Sequence, residues 1–598
     1  MSLSHLCNTP ISSSITSKNP LPSASTKIST PSVRLANPTA THYISCEHNK
    51  QTSRREAATN VTQHVVDRRN VLLGLGGLYG AAGVAIGAPL TPPDLTKCHK
   101  AIDSDATPPE VDCCPPDYGK AKMVDFTPPS PKDPLRVRKA AHKYNLDDIA
   151  KFEAAIAKMK ALPTNHPWNY YQQATIHCTY CNGAFDQLNT KTLLQVHGSW
   201  FFLPWHRYYL YFWEKILGKL IGDDTFAIPF WNWDAPKGMY MPPMYLNEKS
   251  PLFDKTRDKR HYKSVLDYSY SMGADNPPDP KPVVTNNLEM LSSMFKETSN
   301  APALFMGKPL RAGEDPTSTT APGSCEMLHN VMHQWVGPPT SPYWNMGNFH
   351  TAARDTIFFA HHGNVDRMWD IYNNSRGQRR EFNDPDWLDS SFIFYDENEQ
   401  LVNCKVRDCL TPQSLGYIYH PEPIPWTNNR RKHKKMRSAA KKKSEGDSLK
   451  LAPVPEFGSQ PRPLTEPIRA LLQRPKISRT KDEKADAVEV LVIDGITVPN
   501  GSTARFDVYV TQALEGLVGP DRGELAGSFV HIPTAHHRSS EGKEYSSLEL
   551  GISILLEDIE AESSKELVVS LIPRDGDVVV SGLRIELFDV EDDDEEEE

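Results

Sequence analysis

No acidic residue occurs before Glu47, although 75 Asp and Glu are spread over the 598-residue chain. The first 60 residues are instead rich in Ser, Thr, Pro and Asn, a composition that cannot pack a core. Simple disorder or an organellar transit peptide accounts for it, and the next segment of the chain favours the second. The chain also lacks a clean membrane span. Its most apolar run, "NVLLGLGGLYGAAGVAIGAP" from Asn70, is Gly-rich and broken by Pro89. That run comes after Arg68 and Arg69 and ends in small residues, which is the pattern of a cleavable twin-arginine export signal. The expected order is a chloroplast transit peptide over 1–60 and a thylakoid-lumen signal over 61–88. The mature chain is then expected to begin near Ala88, soluble in the lumen and without a transmembrane anchor.

Charge of neither sign dominates. The net charge of -9 does not point to nucleic acid as a partner. Internal repeats are absent. Cysteine is scarce: of ten, Cys7 and Cys46 leave with the targeting region. Cys98, Cys113, Cys114 and Cys178 lie close to Pro-rich or irregular sequence, where disulfides would pin an extended arm. The lumen permits such bonds, and spacing alone leaves their pairing open. A zinc site is the rival, but adjacent Cys113 and Cys114 fit no usual zinc spacing.

The residues that are present divide the remainder. Between 89 and 425, aromatic-rich periodic segments alternate with Pro/Gly/Asn loops. "LDDIAKFEAAIAKMKAL" (146–162) has helical periodicity, with Asp147 or Asp148 near its start. "FLPWHRYYLYFWEKILGKLIG", "CEMLHNVMHQWVG" and "RDTIFFAHHGNVDRMWDIYN" read as buried helices, and four such segments predict a helix-bundle core. Residues 426–460 change to a basic, Pro-rich stretch, "NNRRKHKKMRSAAKKKSEGD" and then "LAPVPEFGSQPRP", expected to be a mobile linker open to a processing protease. Residues 461–598 hold short β-rich runs spaced by turns, which predict an all-β sandwich or barrel, and end in the acidic "EDDDEEEE".

The chemistry lies in histidine. His329 and His333 are four apart on a predicted helix, so both rings project from one face. A second helix offers His362, and a separate cluster supplies His177, His197 and His206. Two sets of three imidazoles make two neighbouring three-coordinate sites. No carboxylate or thiolate is spaced to join them, which disfavours di-iron and structural zinc. All-imidazole coordination with an open position suits a pair of copper ions that binds O2.

The segments "HCTYC", "HGSWFFLPWHRYYLYFWE", "HNVMHQWVG" and "FFAHHGNVDRMW" resemble the two copper-binding regions of plant polyphenol oxidases, the tyrosinase and catechol oxidase family. The resemblance extends to the bipartite targeting region, to "LGYIYH" and to "RFDVYV" near the C-terminus. It implies a mainly α catalytic domain holding a dicopper centre, followed by a β-rich domain that shields it. By the resemblance, copper A takes His177, His197 and His206, and copper B takes His329, His333 and His362. In the wider copper group the third copper B histidine stands four residues before an aspartate; Asp366 is four after His362. His361 falls on a different azimuth and is read as an outer or core residue.

Further carry-overs are implied in the same way. Cys181 matches a cysteine bonded to the second copper A histidine, implying a Cys181–His197 thioether. The family pairing implies disulfides Cys98–Cys114 and Cys113–Cys178. Phe349 matches an aromatic gate over copper A. Arg138 and Tyr417 or Tyr419 match residues that tie the ends of the catalytic domain together.

Two departures stand out. Asp355-Thr356 replaces a usual Asp-Pro, a change confined to the start of a helix. A glutamate commonly found four residues before the first copper B histidine is displaced, since Cys325 stands there and Glu326 is three before His329. With Asn330, Glu326 is expected to hold the water that accepts a phenolic proton. Cys325, Cys404 and Cys409 have no implied partner, although a local Cys404–Cys409 bridge is conceivable. The expected function is a latent type 3 copper oxidase converting o-diphenols and O2 to o-quinones and water, with ortho-hydroxylation of monophenols as a second activity. The alternatives are a specialised hydroxylase of one plant phenol (a lignan or flavonoid type) and an oxygen carrier of haemocyanin type.

Overall fold

The computed structural model describes residues 87–102, 110–115, 123–269, 279–299, 301–375, 382–428, 455–512, 524–534 and 542–590. Nearly all of the expected targeting segments, most of the expected linker and the acidic tail lie outside the described residues.

Among the described residues, six longer helices form the helical part: α1 (Leu146–Ala161), α2 (Tyr170–Cys181), α3 (Phe202–Ile221), α4 (Pro280–Glu297), α5 (Ser324–Val336) and α6 (Ile357–Asn374). Asn145 caps helix α1, and Asp147 and Asp148 both lie in its first turn, as the sequence led us to expect. The Asn145 side chain accepts the Asp148 N–H, and Asp148 accepts the Asn145 N–H in return, a reciprocal capping box. Helix α3 is buried along most of its length and stops at Gly222, whose φ of +71° costs glycine little.

Helices α2 and α4 are absent from the sequence expectation. Helix α2 is buried on nearly every side, so it carries no polar stripe for periodicity to reveal. Helix α4 opens with Asp279 as cap and Pro280 in its first turn. The Asp355-Thr356 departure is absorbed locally: Asp355 Oδ1 accepts the Ile357 N–H at 3.0 Å, and its carboxylate pairs with buried Arg257 at 2.6 Å.

Short strands close this part on itself. Strands β1 (Met123–Asp125), β3 (Ser391–Tyr395) and β4 (Leu401–Lys405) form one sheet. Strand β2 (Arg136–Arg138) pairs in parallel with β5 (Tyr417–Tyr419), and the Arg138 guanidinium lies 3.7 Å from the Tyr417 ring centroid. Cys98 is bonded to Cys114 and Cys113 to Cys178. No bridge joins Cys404 to Cys409. Both are buried thiols that point to different carbonyls, Cys404 to Val402 and Cys409 to Val406 and Pro204.

The β-rich part holds β6 (Ile468–Gln473), β7 (Ala487–Pro499), β8 (Ala504–Gln512), β9 (Glu524–His531), β10 (Lys543–Gly551), β11 (Glu566–Asp575) and β12 (Gly582–Asp589). One antiparallel sheet runs β9-β8-β11-β6; in the other, β7 lies between β10 and β12. The sheets share one apolar core of residues such as Leu491, Phe506, Val508, Leu548 and Val569 and do not close into a barrel. This is the sandwich form of the all-β expectation.

Polar contacts join the two parts. The Glu297 carboxylate, at the end of α4, accepts the N–H groups of Ile554 and Leu555. Lys308 pairs with Glu549, Arg505 donates to the Tyr268 carbonyl at 2.7 Å, and Ser547 donates to the Thr320 carbonyl at 3.1 Å.

Candidate metal centre

Two groups of side chains meet in the buried interior, His177 with Cys181, His197 and His206, and His329 with His333, His361 and His362. Within each group one ligating atom per residue lies within 4.8 Å of every other. Helix α2 supplies His177, α3 supplies His206, α5 supplies His329 and His333, and α6 supplies His361 and His362. His197 sits on the loop before α3. The Gln195 side chain fixes that loop, accepting the His197 N–H at 3.0 Å and donating to the Cys181 carbonyl at 2.9 Å. The groups adjoin: the His206 and His362 rings stack with centroids 4.2 Å apart and 10° between planes.

Hydrogen bonds orient the rings. His177 Nδ1 meets the Phe349 carbonyl at 2.9 Å, His206 Nδ1 the Phe202 carbonyl at 2.7 Å, and His333 Nδ1 the Met346 carbonyl at 2.7 Å. His329 Nδ1 meets the Asn330 side-chain oxygen at 3.0 Å. An oxygen acceptor requires the ring to carry its proton on Nδ1, so each of these four Nε2 atoms presents a lone pair. The Nε2 atom of His329 then faces those of His333 and His362 at 2.8 and 3.1 Å. Burial pushes His177, His206, His329, His333, His361 and His362 toward the neutral form, His206 down to about 3 and His333 to about 4. Convergent neutral imidazole lone pairs, with no carboxylate among them, are a donor set for a soft or borderline cation.

Other groups complete the site. The Phe349 ring stacks on His197, centroids 4.3 Å apart at 21°. Helix α5 has already begun at Glu326, whose two carboxylate oxygens both lie 2.9 Å from the Gly198 nitrogen, beside His197. Burial raises the Glu326 carboxyl to about 8, against the Gly198 N–H, which lowers it. Asn330 donates to the Val530 carbonyl at 2.8 Å, Gln334 to the His531 carbonyl at 3.3 Å, and the Phe349 N–H to the Pro533 carbonyl at 3.0 Å. The end of β9 and the residues after it therefore lie against helix α5 and the Phe349 segment of the site.

Comparison with known proteins bears on the nature of this centre. The family described as the common central domain of tyrosinase matches residues 167–375, which hold all of these histidines. The polyphenol oxidase middle domain matches 381–432, and the chloroplastic polyphenol oxidase C-terminal domain matches 460–587. A chloroplastic polyphenol oxidase of Malus domestica is 44% identical over 544 residues, 88% of this chain and 90% of that one. The chain belongs to the polyphenol oxidase family. A chloroplastic (+)-larreatricin hydroxylase of Larrea tridentata is 42% identical over 88% of this chain and 91% of its own. The solved structure of latent apple tyrosinase, 42% identical, superposes with a TM-score of 0.69 over 78% of this chain and 100% of that chain. A latent aurone synthase, 34% identical, gives 0.76 over 84% of this chain and 100% of its own.

In this polyphenol oxidase the two histidine-rich groups suit a dicopper centre. The structure brings His177, His197, His206, His329, His333 and His362 together, with Cys181 inside the first group and Phe349 stacked on His197. It also places a His361 ring nitrogen inside the second group, so azimuth alone does not remove that residue. Sequence reasoning missed two kinds of contributor. Trp233 donates its indole N–H to His361 Nδ1 at 3.2 Å; the aromatic segment "FWNWD" was the available signal. The 530–533 contacts had none, since β9 is some 200 residues from α5.

Proposed function

We propose that this chain is a latent type 3 copper oxidase that uses O2 to convert o-diphenols to o-quinones and water, and that also ortho-hydroxylates monophenols. The observation that carries the reading is the set of buried rings whose Nδ1 protons are tied to oxygen acceptors while their Nε2 lone pairs converge. In this reading His177, His197 and His206 hold copper A, and His329, His333 and His362 hold copper B. Copper, once bound, supplies the electron exchange with O2 that no side chain offers. The chain supplies the rest. Phe349 gives a phenol ring a flat apolar surface beside His197, and the buried walls exclude water. Glu326 and Asn330 hold a water that takes the proton of a monophenol, which at neutral pH is otherwise almost wholly retained.

Cys181 lies in the same group as His197, and a thioether between them would fix the one ring that stands on a loop. Latency is supported by residues 530–533 lying against Asn330, Gln334 and Phe349. The domain scheme is a transit peptide over 1–60, a lumen signal over 61–88, a catalytic domain over 89–425, a cleavable linker over 426–460 and a shielding domain over 461–598. The Malus and Larrea relatives are chloroplastic, and the twin-arginine pattern extends that location to the thylakoid lumen. No helix among the described residues is long and apolar enough to cross a membrane.

The test is to load the purified mature chain with copper and measure catechol oxidation and O2 uptake before and after tryptic cleavage in the linker. Two coppers per chain and activity that rises on cleavage support the reading; copper uptake without turnover points to a carrier. A second reading has support in the relatives, which include a larreatricin hydroxylase and an aureusidin synthase. Relative kcat/KM over a panel of plant phenols separates a general oxidase from a specialised hydroxylase.

A further inference from the structure

Four histidines, not three, bring ring nitrogens together in the second group. His361 is fully buried, and its ring stacks on that of His329, centroids 4.9 Å apart at 13°. Distance alone leaves both His361 and His362 as the third imidazole, and the hydrogen bond that His361 accepts decides between them. An indole N–H can only donate, so the 3.2 Å contact from Trp233 makes His361 Nδ1 the acceptor. A neutral ring that accepts at Nδ1 carries its proton on Nε2. One nitrogen is then occupied by the indole, and the other has no lone pair to give. This is the reverse of His177, His206, His329 and His333, whose Nδ1 atoms face oxygen.

We propose that Trp233 is a positioning residue that holds His361 in the non-ligating tautomer and so leaves His362 as the third imidazole of that group. The inference rests on the copper reading of the site. The indole is well placed to act this way. Trp231, two residues earlier, donates its backbone N–H to the Ala360 carbonyl at 2.7 Å, immediately before His361. Asp234, one residue later, binds Arg367 at 2.9 Å and Asn364 at 3.0 Å on the same helix. The Tyr268 hydroxyl donates to the Trp233 carbonyl at 2.8 Å, and Trp233 is 1% exposed. The segment is thus fastened to α6 on both sides of the histidine it orients.

The test uses the full mature chain and needs no turnover. Copper(I) is titrated against a competing chelator in the wild type, His362→Ala, Trp233→Phe and Trp233→Phe/His362→Ala. His362→Ala should lose tight binding of one of two coppers. Removing the indole N–H frees His361 to move its proton to Nδ1, so the double variant should recover the second copper about tenfold more tightly than His362→Ala alone. A double variant no better than His362→Ala overturns the proposal. Because Trp233→Phe is buried and its folding is not assured, a second measurement stands by itself. In the metal-free wild type labelled with 15N-histidine, the His361 signals, assigned by their loss in His361→Gln, should show the proton on Nε2. A proton on Nδ1 overturns the proposal. A wild type that binds fewer than two coppers defeats the copper reading instead, and the tautomer measurement still decides this one.

Discussion

Arg207 donates to Asp366 at 2.5 Å in the buried interior, and each stands beside or one turn from a histidine of a different group. Arg207 directly follows His206 on α3, and Asp366 is one turn after His362 on α6. The pair therefore sets the register between the two helices whose rings stack at 4.2 Å. Asp366 also accepts from the hydroxyls of Tyr417 and Tyr419 and lies 3.3 Å from Arg138, so it joins the strand pair β2–β5 to the same point.

Asp366→Asn should be strongly destabilising, by about 3–5 kcal/mol, because it leaves Arg207 buried with its carboxylate partner removed, while Arg138 keeps only Glu214. Denaturant unfolding measures the loss. Copper content should fall as well, since the helix register is what brings the two groups together. A variant as stable as the wild type refutes the register role.

The metal-free protein should lose stability as pH falls below about 6. Burial disfavours charge on Asp366, yet Arg207 and Arg138 outweigh it and hold the carboxyl below its ordinary value. That contribution is present above the unfolded carboxyl range and disappears as acid protonates the group. The buried rings act in the same direction: His206 and His333 are pushed down to about 3 and 4, so below 6.5 the unfolded chain binds protons that the folded one refuses. Each such ring adds a slope of about 1.4 kcal/mol per pH unit. Glu326, raised to about 8, acts in the opposite sense, but several rings outweigh one carboxyl below about pH 6. Thermal unfolding of the apoprotein between about pH 6 and 4 should therefore show a falling midpoint.

Glu297→Ala should weaken latency without altering the exposed site. Its carboxylate satisfies the N–H groups of Ile554 and Leu555 across the two parts of the chain, and losing such a partner costs about 1–3 kcal/mol. The open form of the uncleaved chain should become about tenfold more populated. Catechol oxidation by uncleaved protein should rise accordingly, while trypsin-treated wild type and variant remain equal. Equal activity before cleavage removes this contact from any role in latency.

On the proposed reading, Glu326→Gln should separate the two phenol activities. Hydroxylation of a monophenol should drop while oxidation of the matching catechol persists, because a catechol does not depend on that proton acceptor. In the wild type the ratio of hydroxylation to oxidation should rise with pH as the carboxyl ionises. Burial places it at about 8 and the ordinary value is 4.5, so with nearby metal charge the midpoint should lie between them. Parallel loss of both activities in Glu326→Gln refutes the role.

Chemistry was more legible than geometry. The i, i+4 spacing of His329 and His333 and the four-residue step from His362 to Asp366 are local, so a one-dimensional pattern carries them. Helix α2 was not legible, because a segment buried on all sides has no contrast between faces. The displaced Glu326 was legible as a departure, but its aim toward Gly198 depends on where α5 begins and on a φ of +71° at Gly198.

The sequence by itself determined which residue types were available: six histidines in two ordered sets, a mainly helical region, a basic stretch and a β-rich region. Those follow from periodicity and composition, which are properties of neighbours in the chain. Tertiary structure decided which atoms can act. It put four histidines, not three, around the second group and set an indole N–H against one of them. It also laid Val530 to Pro533 against Asn330, Gln334 and Phe349. Tautomer and access depend on partners 128 to 200 residues away, and no local pattern encodes a hydrogen bond over that distance.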